Sequence, residues 1–586
     1  MAVQKKVEIV TVGAGWTGSI LAYKLASAGH QVVSLEQGPM RWANPDFEMD
    51  HDELRYNTRT AMMVNLAKES WSWRPSPQAP SLPIRQYGNT EPGQGLGGAG
   101  VHWSAMLWRF TPYDFKYRSY YIEKYGEKIL PPDNAYQDWP LTYEEMEPYY
   151  DEFEYAIGAS GATGNLNGAI IPGGNPFEAP RSRPYPNPPL AQNIPSDMFA
   201  KAARDLGYHP FPQPSAILSQ GYTDPFGNIR SGCIYCGYCT RYGCEVDAKA
   251  SPIDTYIPAA LKTGRYQIRP NSKVLRINIG KDGLATGVTY IDANGQEQEQ
   301  PADLVLLTGF TLTNVKLLLI SRSKEHPNGI GGDRGQLGRN AGHQILQGAV
   351  TGVFPGRKFN LFMGNSTTMN ALYDFYGSVI DHTGLGFVGG AQVQSAWGER
   401  TPIASTDGYP IGQGKTWGMD WKNSLRDWDA TASIYVQAES PAYKQFFYDL
   451  DPTYKDSFGQ PLLRWTLDWT DNEHKMFEYI ADKAATIMER MGPTTIKKST
   501  MLKPYTMQIF YGTHNTGGAI MGANAGDSVC NSYGQVWDTP NVFAVGACLF
   551  PQNDALNPTD TIGALSLRTG DAIRDKYFAH PGELIS

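Results

Sequence analysis

Apolar residues near the start of the chain fall into two short runs on either side of a helical stretch. Val7–Val12 reads as a buried strand, Gly13-Ala-Gly-Trp-Thr-Gly18 as a turn, 19–28 as a helix and 31–35 as a second strand ending at Glu36. That order is one βαβ unit. Residues 41–93 are polar and rich in Trp and Pro, predicting loops and a short helix, and 93–100 is a second glycine-rich segment. Pro-rich loops are expected over 161–214. Strand patterns return over 267–279 and 285–292, with Asn294-Gly295 as a hairpin turn, and again over 303–307, which runs through Gly309 into a helix ending near Ser321. Alternating patterns over 349–464 predict a separate, mostly antiparallel sheet layer. Asp471–Met491 reads as a long amphipathic helix, and 541–577 as strand, turn and helix. No internal repeat or low-complexity tract is present.

The α/β pieces (α+β overall) thus sit at the start, middle and end. They predict a discontinuous Rossmann-like nucleotide domain over 1–160, 223–348 and 501–586. Residues 161–222 are then an insertion, and 349–500 an inserted substrate domain. The length of 586 residues agrees with more than one domain. A net charge of -8 without any Lys/Arg run argues against a nucleic-acid partner. No run approaches 18 consecutive apolar residues, so no membrane span is expected. Met1 to Lys6 leads straight into a strand, leaving no room for a signal peptide's apolar core; an exported chain would need another address.

The first glycine motif gains weight from its context. It follows a strand, opens a helix and precedes the acidic Glu36, eighteen positions beyond Gly18. Gly13 makes the turn, Gly15 admits a pyrophosphate, Gly18 lets helix and strand pack, and Glu36 would bind ribose hydroxyls. Further motifs accompany it: Gly95-Leu-Gly-Gly-Ala-Gly-Val-His-Trp103, Thr308-Gly-Phe, Leu317-Leu-Leu-Ile-Ser321, His514-Asn-Thr-Gly-Gly-Ala-Ile-Met-Gly522 and Asn557-Pro-Thr-Asp-Thr561. As an ordered set these resemble the glucose–methanol–choline (GMC) oxidoreductases over most of the chain. Within that family they look nearest to the flavoprotein subunits of bacterial gluconate, fructose, sorbitol and glucose dehydrogenases.

The resemblance implies FAD, with cofactor contacts from Gly13, Gly15, Gly18, Glu36, Gly97, Gly98, His102, Trp103, Val274, Gly309, Gly546, Ala547 and Thr559. It makes His514 the catalytic base and Asn557 a donor to the developing alkoxide. A near-neutral imidazole suits the first task; a lone His without the matching motifs would read as surface or satisfied core. His102 resembles a histidine joined covalently to the flavin in pyranose oxidases. The other reading is a histidine that simply packs beside the ring.

Four of the six cysteines, Cys233, Cys236, Cys239 and Cys244, lie within twelve residues, while Cys530 and Cys548 stand apart as candidate buried apolar residues. The C-x-x-C-x-x-C start suits an iron–sulfur cluster. A four-cysteine zinc site, a 4Fe–4S cluster and a 3Fe–4S cluster compete, with disulfides as the bland alternative. By resemblance the 3Fe–4S type is favoured. The family spacing is roughly C-x5-C-x3-C, whereas this chain has x5 from Cys233 to Cys239 and then x4 to Cys244. That departure leaves open whether Cys233 or Cys236 is the third ligand.

Together these readings predict a dehydrogenase for a hydroxyl of a sugar, sugar acid or polyol. Gluconate is the first expectation, followed by 2-ketogluconate, sorbitol and fructose. Implied partners are a small subunit and a multihaem cytochrome c that anchors the complex on the periplasmic side of the bacterial inner membrane; a cytoplasmic enzyme is the alternative. Two rival functions are a dioxygen-using oxidase of the same fold and a non-catalytic electron-transfer or metal-binding subunit.

Overall fold

The computed structural model describes residues 2–47, 51–360, 364–395, 403, 411, 413–507 and 512–584. An eight-stranded mixed sheet forms its nucleotide layer. Its centre is parallel: Tyr266–Arg269, Val32–Leu35, Val7–Val12 and Glu297–Leu307 pair in that order, and Val542–Ala544 lies parallel to Glu297–Leu307. The strand Glu297–Leu307 is the seam of the sheet. Its carboxyl half pairs with Val7–Val12, while its amino half continues antiparallel against Ala285–Ile291, which pairs in turn with Lys273–Ile279. The polar Glu-Gln-Glu-Gln start of this strand has no apolar signal. The 303–307 prediction therefore found only its buried end, and the predicted 267–279 strand divides in two at residues 270–272.

The helix Trp16–Ser27 crosses from the first strand to the second with Ile20, Leu21 and Leu25 fully buried. Each contributes about 1.5–3 kcal/mol of apolar burial. Mixed α/β architecture with a parallel core agrees with the fold class read from the sequence.

The antiparallel layer is two sheets, not one. Thr495–Lys498, Ile345–Val353, Thr431–Ala438, Ala391–Ser395, Asn370–Leu372 and Phe211–Pro212 form six strands, and Asp471–Met491 packs across their face. Phe447–Lys455, Pro461–Thr466, Trp71–Arg74 and Leu82–Pro83 form four, with one parallel pairing between Pro461–Thr466 and Trp71–Arg74. Strands from 71–83 and 211–212 thus come out of segments expected to be loops. The Pro-rich stretch also holds the helix Ile194–Asp205, where Pro195 sits in the first turn and Asn193 caps Ser196 N–H. The helix Asp471–Met491 matches its predicted span, opened by a Thr470/Glu473 capping box and closed by Gly492 in the left-handed conformation.

Candidate active site

Four strand ends lie side by side on one edge of the parallel core. Val12 is level with Leu35 and Leu307, and Leu307 with Ala544. The segments leaving these ends are Gly13–Gly18, Glu36, Thr308–Gly309 and Val545–Ala547. Ligands of open α/β sheets bind in such a crevice. Here it is an open-mouthed cavity of about 280 Å³, near the lower end of the ~300–1,000 Å³ of ordinary small-ligand sites.

Gly13, Gly15, Glu36, Gly98, His102, Trp103, Val274, Gly309, Gly546, Ala547, Thr559, His514 and Asn557 all line it. Gly18 and Gly97 do not. A Cβ on Gly18 would lie 2.2 Å from Gly13 O and 2.9 Å from Thr308 Oγ1, so its task is the close packing of helix on strand. Gly97, at φ +86°, donates its N–H to Ala14 O and locks the second glycine turn onto the first. Glu36 closes the same junction, accepting N–H bonds from Ala14, Gly38 and Gly95 at 2.9–3.2 Å. Burial nevertheless raises its pKa above the usual carboxylate value, against the pull of these three donors.

The residues fit FAD on two counts. The glycine turns leave a backbone cradle at the amino end of the helix Trp16–Ser27, where phosphates are held. His102 is buried at the cavity wall with Nε2 lacking any partner among the described residues. Burial, with Lys249 and Arg241 nearby, depresses its pKa to about 3, so this nitrogen is a free, neutral lone pair.

His514 and Asn557 meet on the same wall. Asn557 Nδ2 lies 3.2 Å from His514 Nε2, and His514 Nδ1 lies 2.5 Å from Gln344 Oε1. Asn553 Nδ2 donates to His514 O at 2.7 Å, fixing the loop. Burial lowers the His514 pKa to about 4, keeping the imidazole neutral and ready to accept a proton. Gln344 and Gln437 escaped the sequence reading. Both are fully buried polar residues amid apolar neighbours, a signal that an outward-facing strand position imitates.

The four clustered cysteines line a second, smaller cavity with Lys249. None is disulfide-bonded. Among the described residues no three His, Cys, Asp or Glu side chains are grouped to hold a metal ion. That holds for zinc and for an iron–sulfur cluster alike, since both need the thiolates gathered around one centre. The cysteine loop packs directly behind the flavin-facing turn. Arg241 N–H donates to His102 O at 2.7 Å, and Lys249 Nζ donates to Trp103 O, Cys239 O and Tyr242 O at 2.6–3.0 Å. Cys530 and Cys548 are fully buried, as read from the sequence.

A nucleotide crevice with a neutral histidine on its wall has the parts that a flavin-dependent oxidoreductase of alcohols needs. Comparison with known proteins agrees. A family model described as GMC oxidoreductase matches residues 449–566. The chain is 37% identical to the gluconate 2-dehydrogenase flavoprotein of Pantoea cypripedii over 99% of this chain and 95% of that one. It is 25% identical to the fructose dehydrogenase large subunit of Gluconobacter japonicus over 97% of both. Pyridoxine 4-oxidase from Mesorbium loti shares the fold, with a TM-score of 0.61 at 15% identity over 98% of this chain and 100% of that one. The chain belongs to the GMC oxidoreductases and acts on CH–OH groups.

The packing at Gly18 generates a test. Gly18→Ala drives a methyl into Gly13 O, so the Kd of the apo-variant for FAD should rise at least about tenfold, the consequence of losing about 1.4 kcal/mol. Titration of the apoprotein with FAD, followed by flavin absorbance at about 450 nm, measures this.

Proposed function

We propose that this chain is an FAD-dependent dehydrogenase for a hydroxyl of a sugar or sugar acid, with gluconate, oxidised to 2-ketogluconate, as the first candidate. The observation that carries the reading is the meeting of His514 and Asn557 on the wall of the nucleotide crevice. The full-length likeness to the Pantoea cypripedii flavoprotein supports the substrate class. FAD, when bound, supplies a two-electron acceptor for the carbon-bound hydride. His514 Nε2 takes the hydroxyl proton, and Asn557 Nδ2 steadies the alkoxide oxygen that remains. The surrounding protein holds the imidazole uncharged until that proton arrives.

His102 is proposed as the flavin's covalent anchor, on the strength of its unpartnered Nε2 in the cavity wall. Cys233, Cys236, Cys239 and Cys244 are proposed as the donor set of an iron–sulfur cluster, three-iron in preference to four-iron, with Cys233, Cys239 and Cys244 the favoured ligands. Such a cluster supplies a one-electron carrier next to the flavin site, which suits a cytochrome acceptor better than dioxygen. The proposed partners are accordingly a small subunit and a multihaem cytochrome c, on the periplasmic face of the inner membrane. Among the described residues no helix is long and apolar enough to cross a membrane, so in this reading attachment comes through the partner.

Three measurements follow. His514→Ala should lower kcat for gluconate with an artificial dye by about 10²–10⁴-fold; unchanged turnover would remove His514 as the base. Acid precipitation should leave the yellow colour in the pellet and release it to the supernatant in His102→Ala; a colourless wild-type pellet refutes the linkage. Purified protein should contain iron and acid-labile sulfide, both lost in Cys239→Ser, and protein free of iron would remove the cluster from the scheme.

A further inference from the structure

We infer that Gln344 is a positioning residue that locks His514 in the tautomer protonated on Nδ1, so that Nε2 is the unprotonated nitrogen left to accept from substrate. The inference rests on the proposal that His514 is the base.

The hydrogen-bond chain starts at backbone atoms whose roles are fixed. Asp554 O and Leu556 O can only accept. Gln344 Nε2 donates to both, to Leu556 O at 2.9 Å. Turning the amide over would set its oxygen against two carbonyl oxygens at a fully buried position, and each buried polar group left unpaired costs about 1–3 kcal/mol. Gln344 Oε1 is therefore held toward His514 Nδ1, 2.5 Å away. An acceptor there demands an N–H, and a neutral imidazole has only one to give.

The other ring nitrogen is set independently. Gln437 Nε2 donates to Ala555 O at 2.9 Å and to Asn557 Oδ1 at 2.9 Å. That orients Asn557 with its NH₂ toward His514 Nε2. Two chains of amides, each anchored on a backbone carbonyl, thus assign opposite roles to the two nitrogens. The 3.2 Å contact at Nε2 is the longer of the two, which leaves that lone pair open to a better donor such as a substrate hydroxyl. An amide partner, unlike a carboxylate, adds no charge to stabilise the imidazolium. It orients the ring without raising its pKa, in keeping with the low value that burial gives His514.

The test is ¹⁵N magic-angle-spinning NMR of the FAD-loaded chain labelled at histidine, with the His514 signals identified by their loss in His514→Gln. Wild type should show a protonated Nδ1 and an unprotonated Nε2 at neutral pH. Gln344→Leu should give a mixture of tautomers. Gln344→Glu, which puts an anion beside Nδ1, should raise the His514 pKa by about 1–3 units. Retained flavin absorbance marks each variant as folded, and the wild-type spectrum is decisive without either. An Nε2-protonated wild type overturns the inference, as does an unmixed tautomer in Gln344→Leu together with an unmoved pKa in Gln344→Glu. Full turnover by His514→Gln alongside the expected spectra would instead remove the base assignment and leave the tautomer intact.

Discussion

The alignment of four parallel strand ends governs the rest of the molecule. Val12, Leu35, Leu307 and Ala544 finish at one level because the ladders that join their strands keep a single register. Gly13, Glu36, Thr308 and Val545, which follow, each donate one last N–H to a neighbouring strand end before the chain turns away. Gly13, at φ +105°, makes the sharpest of these turns, in a region of backbone space that costs a side chain dearly. The crevice is thus a by-product of the sheet's edge, and its walls come from segments as distant in sequence as Gly13 and Gly546. Small hydrogen bonds then hold the edges together. Thr17 Oγ1 donates to Thr308 O at 2.8 Å, Thr308 Oγ1 to Gly13 O at 2.9 Å, and Val545 N–H to Leu307 O at 2.9 Å.

The antiparallel layer adds chemistry to this cradle. Gln437 lies on Thr431–Ala438, paired with Leu346 of the neighbouring strand Ile345–Val353, and Gln344 directly precedes that strand. The two amides therefore leave adjacent strands and reach the loop 553–557 together. Sheet register in one layer thereby sets the orientation of an imidazole that belongs to the other. This division suits catalysis, because a ring carried on a loop gains the rigidity of strands without being part of them.

Much of this was legible in the sequence wherever a residue's role is local. A glycine that must turn, an acid placed after the second strand and an amphipathic run each leave a mark at fixed spacing, and the structure puts Gly13 and Glu36 at the crevice and a helix over Asp471–Met491. What escaped depends on pairing across the chain. The strand Trp71–Arg74 exists because Pro461–Thr466 lies beside it, nearly four hundred residues away. Glu297 to Gln300 are strand despite their polarity because Ala285–Ile291 needs a partner. Gln344 reads as an ordinary polar residue until Asp554 and Leu556 are brought to it. His514 itself needed the company of Asn557, since one histidine of ten has no distinguishing mark alone.

The cysteine loop obeys the same logic of dependence. It is bound to the cofactor wall through main-chain carbonyls, not through the cysteine sulfurs: Lys249 Nζ gathers three of them, from Trp103, Cys239 and Tyr242, and Arg241 N–H takes a fourth from His102. A buried ammonium with three carbonyl acceptors is fully satisfied, so it is a fixed strut as well as a charge. That charge also faces His102 and helps to keep its ring neutral. Burial is the larger cause of that neutrality, and the placement of the ammonium by the loop adds to it. Whatever the thiols bind, the strut that places them also keeps the nitrogen lone pair on the flavin side free.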